Sequence, residues 1–209
     1  MIRIARFLNP LMNSNCYVIH QEQNKECVVI DPAAEKCENI LPYLEANNLV
    51  PKFVLLTHEH VDHTWGCNYL REEFGAKLLC SRNCAKYMNV NSRSYFQLYY
   101  DQCDYEYQIA EPDQIVEEGT RVSLCRAEFS FFDTPGHSAG SVCIEINGEN
   151  AIIGGDVLME TKPYISKPTG NKRVFEESIM RMKVLFPPTA MVYPGHGEPF
   201  ELANVNMNF

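Results

Sequence analysis

Three of the chain's six histidines lie in one short run, His58-Glu59-His60-Val61-Asp62-His63. Imidazole and carboxylate groups are ligands for first-row divalent metals. In extended backbone, residues two apart point to the same side, so His58 and His60 can face one ion. If the chain turns into a helix at Asp62, that carboxylate and His63 reach a second point close by. For a chain of this histidine and aspartate content, HxHxDH arises by chance about once in ten thousand sequences. Two further imidazoles sit in Pro-Gly turns: His137 in Thr134-Pro-Gly-His-Ser-Ala-Gly140 and His196 in Tyr193-Pro-Gly-His-Gly197. Each turn follows a strand-like run and can hold its histidine rigidly at a sheet edge. Asp156 ends Ile152-Ile-Gly-Gly-Asp156, where two glycines permit close approach. Groups placed in this way at strand ends can converge on one rim and bind metal there.

Those strand ends require strands. Residues 16–20 and 27–30 read as a pair of strands across a polar turn, ended by Asp31-Pro32. Residues 35–47 carry Ile40, Leu41 and Leu44 at helical spacing, with Pro42 interrupting. The apolar run 52–56, just before the histidines, reads as a strand covered on both faces. Further strands are expected at 77–80, 121–124, 128–132, 142–146, 151–153 and 191–193, and a helix at 174–185 with Phe175, Ile179, Met182 and Leu185 along one side. Strands in both halves with helices between them imply a layered α/β architecture.

The 209 residues, 45% hydrophobic and 22% charged, are those of a soluble globular protein and are expected to form one domain across 1–209. A net charge of −9 is the opposite of the basic footprint that a nucleic-acid binder needs. No run approaches the roughly 20 apolar residues of a membrane span, and no apolar signal core opens the chain, so no membrane association and a cytoplasmic location are expected. The nine cysteines are odd in number and scattered, with no CxxC, which points to buried, reduced thiols.

HxHxDH followed by His137, Asp156 and His196 resembles the metallo-β-lactamase superfamily. The similarity runs in order from Asn15-Cys-Tyr-Val and Val29-Ile-Asp-Pro32 to the closing Pro-Gly-His-Gly. The resemblance implies a four-layer αβ/βα sandwich: two mixed β-sheets face to face, helices on the outer faces, and a site in the groove between the sheets. Carried over by position, His58, His60 and His137 would bind one metal and Asp62, His63 and His196 a second, with Asp156 bridging. The implied cofactors are two divalent ions, Zn2+ first, with Fe or Mn compatible with the same donors. Ions ~3.5 to 4 Å apart can share a hydroxide that attacks an acyl carbon, a reaction in which Asp62 and Asp156 would be the catalytic carboxylates.

Within the superfamily the pattern is most similar to the glyoxalase II-like (hydroxyacylglutathione hydrolase-like) enzymes, which cleave a thioester. The β-lactamases usually depart at these positions. Glyoxalase II enzymes carry a helical C-terminal extension that helps hold glutathione, whereas this sequence ends at Phe209, soon after His196. A compact hydrolase of a thioester, ester or related acyl bond is therefore expected, acting on a different small-molecule substrate as a monomer or homodimer. One rival is persulfide dioxygenase, whose single iron would be held at His58, His137 and Asp156. The oxygen-reducing diiron branch reads HxExDH, which His60 contradicts. A non-catalytic metal-binding protein is the remaining alternative.

Other residues carry weaker signals. Lys162, Lys172 and Arg173 follow Asp156 and could hold a substrate carboxylate or form solvated surface. Tyr95 and Tyr99 belong to an aromatic-rich stretch, 91–107, that reads as a wall or lid over the substrate or as a dimer contact. Glu59 points away from its histidine neighbours by alternation, toward solvent or a supporting role. Thr57 and Asp31 could orient ligands or serve a turn, Asp133 reads as a turn residue, and His20 as surface or hydrogen-bonded.

Overall fold

The computed structural model describes residues 1–90, 108–162, 164–165 and 169–208. Two six-stranded sheets carry the fold. The first contains β1 (Ile2–Leu8), β2 (Asn15–Gln21), β3 (Glu26–Ile30), β4 (Val50–Leu55), β5 (Lys77–Ser81) and β6 (Gln114–Val116), side by side in that order. The second contains β7 (Arg121–Leu124), β8 (Ala127–Asp133), β9 (Val142–Ile146), β10 (Ala151–Gly155), β11 (Met191–Pro194) and β12 (Phe200–Glu201), also in chain order across the sheet. Both are mixed. Strands β3 to β6 run parallel and β1 to β3 antiparallel, while β10 and β11 form the parallel pair of the second sheet.

Strand alternation sorts side chains into layers. In β2 and β3, Tyr17, Ile19, Val28 and Ile30 face the second sheet and pack with Phe129, Phe131, Ile144 and Ile153. Their neighbours Cys16, Val18, Cys27 and Val29 face outward, under the helices α1 (Leu41–Ala46), α3 (Cys67–Phe74) and α4 (Arg82–Tyr87). The outer face of the second sheet, with Cys143, Ile152 and Val192, is covered by α5 (Lys172–Leu185) through Phe175, Ile179 and Met182. Because each central strand is buried on both faces, it reads as a continuous apolar run, as 52–56 does. The layers are those of the expected sandwich.

The expected strands are found within two residues of their bounds. The expected helix over 35–47 is corrected to α1 alone: Cys37 takes a positive φ of 52°, and Pro42 stands in the first turn, where its missing N–H costs nothing. Strands β1, β6 and β12 and helices α3 and α4 are not among the expected elements. The eight described cysteines are free and buried, and burial pushes the Cys27 and Cys37 thiols up to about 12. No described helix is long and apolar enough to cross a membrane.

The turn bearing His137 is clamped onto α5. Asn171 N donates to Gly136 O at 2.8 Å, and Ser178 Oγ to Pro135 O at 2.7 Å. Gly136 has φ +131°, and a Cβ there would lie 2.3 Å from Phe175 Cα. Both the conformation and the approach need glycine. Gly136→Ala is expected to destabilise the fold by about 2–3 kcal/mol, as overpacking against a backbone does. Urea unfolding measures it, and an unchanged midpoint would show that α5 can retreat freely.

Candidate metal centre

Beyond Leu55, the last residue of β4, the chain bends through Thr57, His58 and Glu59, is extended again at His60 (φ −71°, ψ 145°) and then enters the single turn α2 (Val61–Thr64), which contains Asp62 and His63. The expected extended run is thus a bent connection that carries His58 and His60, with Asp62 and His63 on helix. His137 comes from the turn between β8 and β9, Asp156 follows β10, and His196 follows β11. Two clamps reach the last turn from the β1–β2 side: Asn15 Nδ2 donates to Pro194 O at 2.9 Å and to Gly197 O at 2.8 Å. Ser14 Oγ donates to the backbone carbonyl of Asp62.

The seven side chains meet as two donor groups, and Asp31, His58 and His63 form a third set of close donor atoms behind them. In the first, His60 Nδ1 is 3.0 Å from His58 Nε2 and 3.1 Å from His137 Nε2, and Asp156 Oδ2 is 3.5 Å from His137 Nε2 and 4.0 Å from His58 Nε2. In the second, Asp62 Oδ2 is 3.6 Å from His63 Nε2 and 3.4 Å from His196 Nε2. Asp156 belongs to both, with Oδ1 3.5 Å from His63 Nε2 and Oδ2 3.6 Å from His196 Nε2.

These separations fit a metal: four ligands at about 2.0–2.1 Å around a tetrahedral ion lie roughly 3.3 Å from one another. His63 Nε2 and Asp156 Oδ1 are moreover buried with no hydrogen-bond partner among the described residues. Leaving such groups unpaired costs about 1–3 kcal/mol each, which a cation shared between them would relieve.

The outer nitrogens fix the tautomers. His137 Nδ1 donates to Tyr164 O at 2.6 Å, leaving Nε2 with its lone pair toward the site. His63 Nδ1 donates to Asp31 Oδ2 at 3.0 Å, which leaves Nε2 as the nitrogen that faces the site. Thr57 Oγ1 donates to Asp31 Oδ2 at 2.6 Å and so is free to accept from His58 Nδ1, 3.0 Å away.

Electrostatics divides the cluster. Burial, reinforced by neighbouring imidazoles, holds His58 and His60 well below the usual imidazole range, and burial also lowers His137 despite Asp156. For His63 burial pulls downward, but Asp62, Asp156 and Asp31 outweigh it and push the ring up to about 10. His196 is raised in the same way, against burial, by Asp156 and Asp62. Burial works against the ionised carboxylates, yet the imidazoles keep Asp62 and Asp156 below the ordinary carboxylate value.

Above the donors is a cavity of about 350 Å3 whose walls are Met12, Met159, Thr161, Lys162 and Tyr164. Of the basic residues expected near a substrate, only Lys162 lines it. Lys172 and Arg173 are turned elsewhere, on the exposed start of α5, where they pair with Glu176 at 3.9 Å and Glu177 at 3.0 Å. Tyr95 and Tyr99 lie outside the described residues. Glu59 is buried rather than solvated, and His20 Nε2 is buried against Tyr43 Oη at 2.9 Å. Sequence reasoning missed Met12, Met159, Thr161 and Tyr164. Of these, only Met12, beside an Asn-Pro turn and held at φ +50°, lies near a local signal.

The family model of the metallo-beta-lactamase superfamily matches residues 9–196. An uncharacterized protein of Mycobacterium leprae is 28% identical over 208 residues, 93% of this chain and 91% of its own. A hydroxyacylglutathione hydrolase of Pelagibacter ubique is 27% identical over 202 residues, 93% of this chain and 70% of that protein. The crystal structure of BLEG-1 B3 metallo-beta-lactamase superposes with a TM-score of 0.86 at 24% identity, covering 98% of this chain and 95% of that one. The family match spans every donor of both groups, and the chain belongs to the metallo-beta-lactamase superfamily.

Proposed function

We propose that the chain is a hydrolase that holds two divalent ions, Zn2+ foremost, and cleaves a thioester, ester or related acyl bond of a small molecule. His58, His60 and His137 would hold one ion, Asp62, His63 and His196 the other, and Asp156 both. The observation that carries this reading is Asp156, which turns one oxygen toward His63 and the other toward His58, His137 and His196. When bound, such a pair of ions supplies an activated water at neutral pH and stabilises negative charge developing on a carbonyl oxygen. Similarity to a hydroxyacylglutathione hydrolase favours a thioester among the acyl bonds.

The chain's own residues do the rest. Asp31 keeps His63 aimed inward and, through Thr57, does the same for His58. The Tyr164 carbonyl fixes His137. Met12 and Met159 offer the cavity an apolar wall for the acyl or leaving group, and Lys162 is the one cation among its described lining residues. Lys162 would then take a carboxylate on the substrate, as a flexible ammonium does.

Metal analysis is expected to give two ions per chain, and chelation to abolish thioester hydrolysis until metal is restored. Asp156→Ala is expected to lose bound metal and at least about 100-fold in turnover, since it removes a donor from both groups. Full activity in that variant would overturn the assignment, and one iron per chain with persulfide-dependent oxygen uptake would replace hydrolysis by dioxygenase chemistry.

Metal loading should release protons. With its ring pushed up to about 10, His63 is protonated at pH 7 in the metal-free chain, and a ligating imidazole must be neutral. Titration calorimetry in two buffers of different ionisation enthalpy is expected to show at least one proton leaving per chain at pH 7. Affinity should rise with pH until His63 titrates, and no release at pH 7 would contradict ligation by His63.

Lys162→Ala is expected to raise KM for substrates bearing a carboxylate and leave neutral esters unaffected. Equal effects on both classes would remove the carboxylate role.

A further inference from the structure

Glu59 stands between the first two histidines of the run, yet it supplies no atom to either donor group. It points away from them, into the protein, where it is fully buried. A carboxylate in that position is expensive unless it is hydrogen-bonded, and an aliphatic side chain would fill the space without that cost. One partner is Ser138, whose Oγ donates to Glu59 Oε2 at 2.9 Å.

Ser138 immediately follows His137. Glu59 continues from the first sheet and Ser138 leaves the second, so the bond ties together the two segments that bear the histidines of the first donor group. Gly140 makes room for it: a Cβ there would lie 2.4 Å from Glu59 Oε2 and 2.5 Å from Cys84 N. Within the turn, Ser138 Oγ also lies 2.9 Å from Ser141 Oγ, and further fastenings hold the backbone of the loop. Ser81 Oγ donates to Gly140 O at 2.8 Å, Asn83 Nδ2 to Ala139 O at 3.2 Å, and Val142 N to Thr57 O at 2.8 Å. Those bonds keep the sheets together without Glu59, which leaves the Glu59–Ser138 link to adjust how His137 stands against His58 and His60.

We propose that Glu59 is a positioning residue that acts through Ser138 to set the geometry of the His58, His60 and His137 donor group, and thereby the affinity and coordination of the ion held there. This rests on the two-metal reading above.

The test uses the full chain with Zn2+, measured by competition against a chromophoric chelator, with the absorption spectrum of Co2+ in place of zinc and thermal unfolding of the metal-free protein. Ser138→Ala, which removes a single oxygen, is expected to weaken one of the two ions about 10- to 100-fold and alter the Co2+ bands, while the second ion and the metal-free melting temperature stay as in the wild type. Glu59→Ala should behave alike. Glu59→Gln, whose amide oxygen still accepts from Ser138, should restore wild-type binding. If Glu59→Ala does not fold, Ser138→Ala decides together with Ser141→Ala, which removes the Ser138–Ser141 contact, keeps the Glu59 link and should bind both ions as the wild type does. Wild-type affinity for both ions with an unchanged Co2+ spectrum in Ser138→Ala would overturn the proposal, as would equal weakening of both ions with a lowered metal-free melting temperature. A wild-type chain that binds no ion would overturn the two-metal reading itself.

Discussion

One buried carboxylate, Asp31, governs the aim of histidines in both donor groups. It ends β3 beside the end of β4, with φ +53°, a conformation that aspartate tolerates better than most residues. There its Oδ1 accepts from Thr57 N at 2.8 Å, while Oδ2 accepts from Thr57 Oγ1 and from His63 Nδ1. The parallel β3–β4 register, Ile30 opposite Leu55, is what brings Asp31 next to Thr57. Backbone pairing in the first sheet is thereby translated into the tautomer of two imidazoles, and a slip of one residue would turn Asp31 to the wrong face.

The cluster is also a balance of charge. Burial and neighbouring imidazoles hold His58 and His60 below the ordinary imidazole value, whereas Asp62 and Asp156, joined at His63 by Asp31, outweigh burial and raise His63 and His196. A protein interior does not hold so many ionisable groups cheaply. The fold tolerates them because the sheets are anchored elsewhere, by Tyr17, Phe129, Phe131 and the aliphatic layer between them. Stability is concentrated in the middle of the sandwich and chemistry at its rim.

Much of this was legible in the sequence because the donors sit in short, rigid contexts. HxHxDH at a strand end and two Pro-Gly-His turns carry their geometry locally, and continuous apolar runs mark the central strands. What was hidden is what depends on distant partners. Helix α3 has only Cys67 and Leu70 fully buried, too few for a clear period, and β6 is only three residues long. Lys172 and Arg173 looked like substrate cations until α5 placed each beside a glutamate one turn on. Met12 and Tyr164 reach the cavity from distant parts of the sequence, a meeting that no spacing rule records. Glu59 was read correctly in direction, but alternation could not tell that the far side was interior.

The clamp from Asn15 onto the turn of His196 joins positions 179 residues apart in the chain. The imidazole of His196 is therefore held in register by the opening hairpin and not by its own neighbours alone, so loosening β1 and β2 would disturb the second donor group before it reached the first.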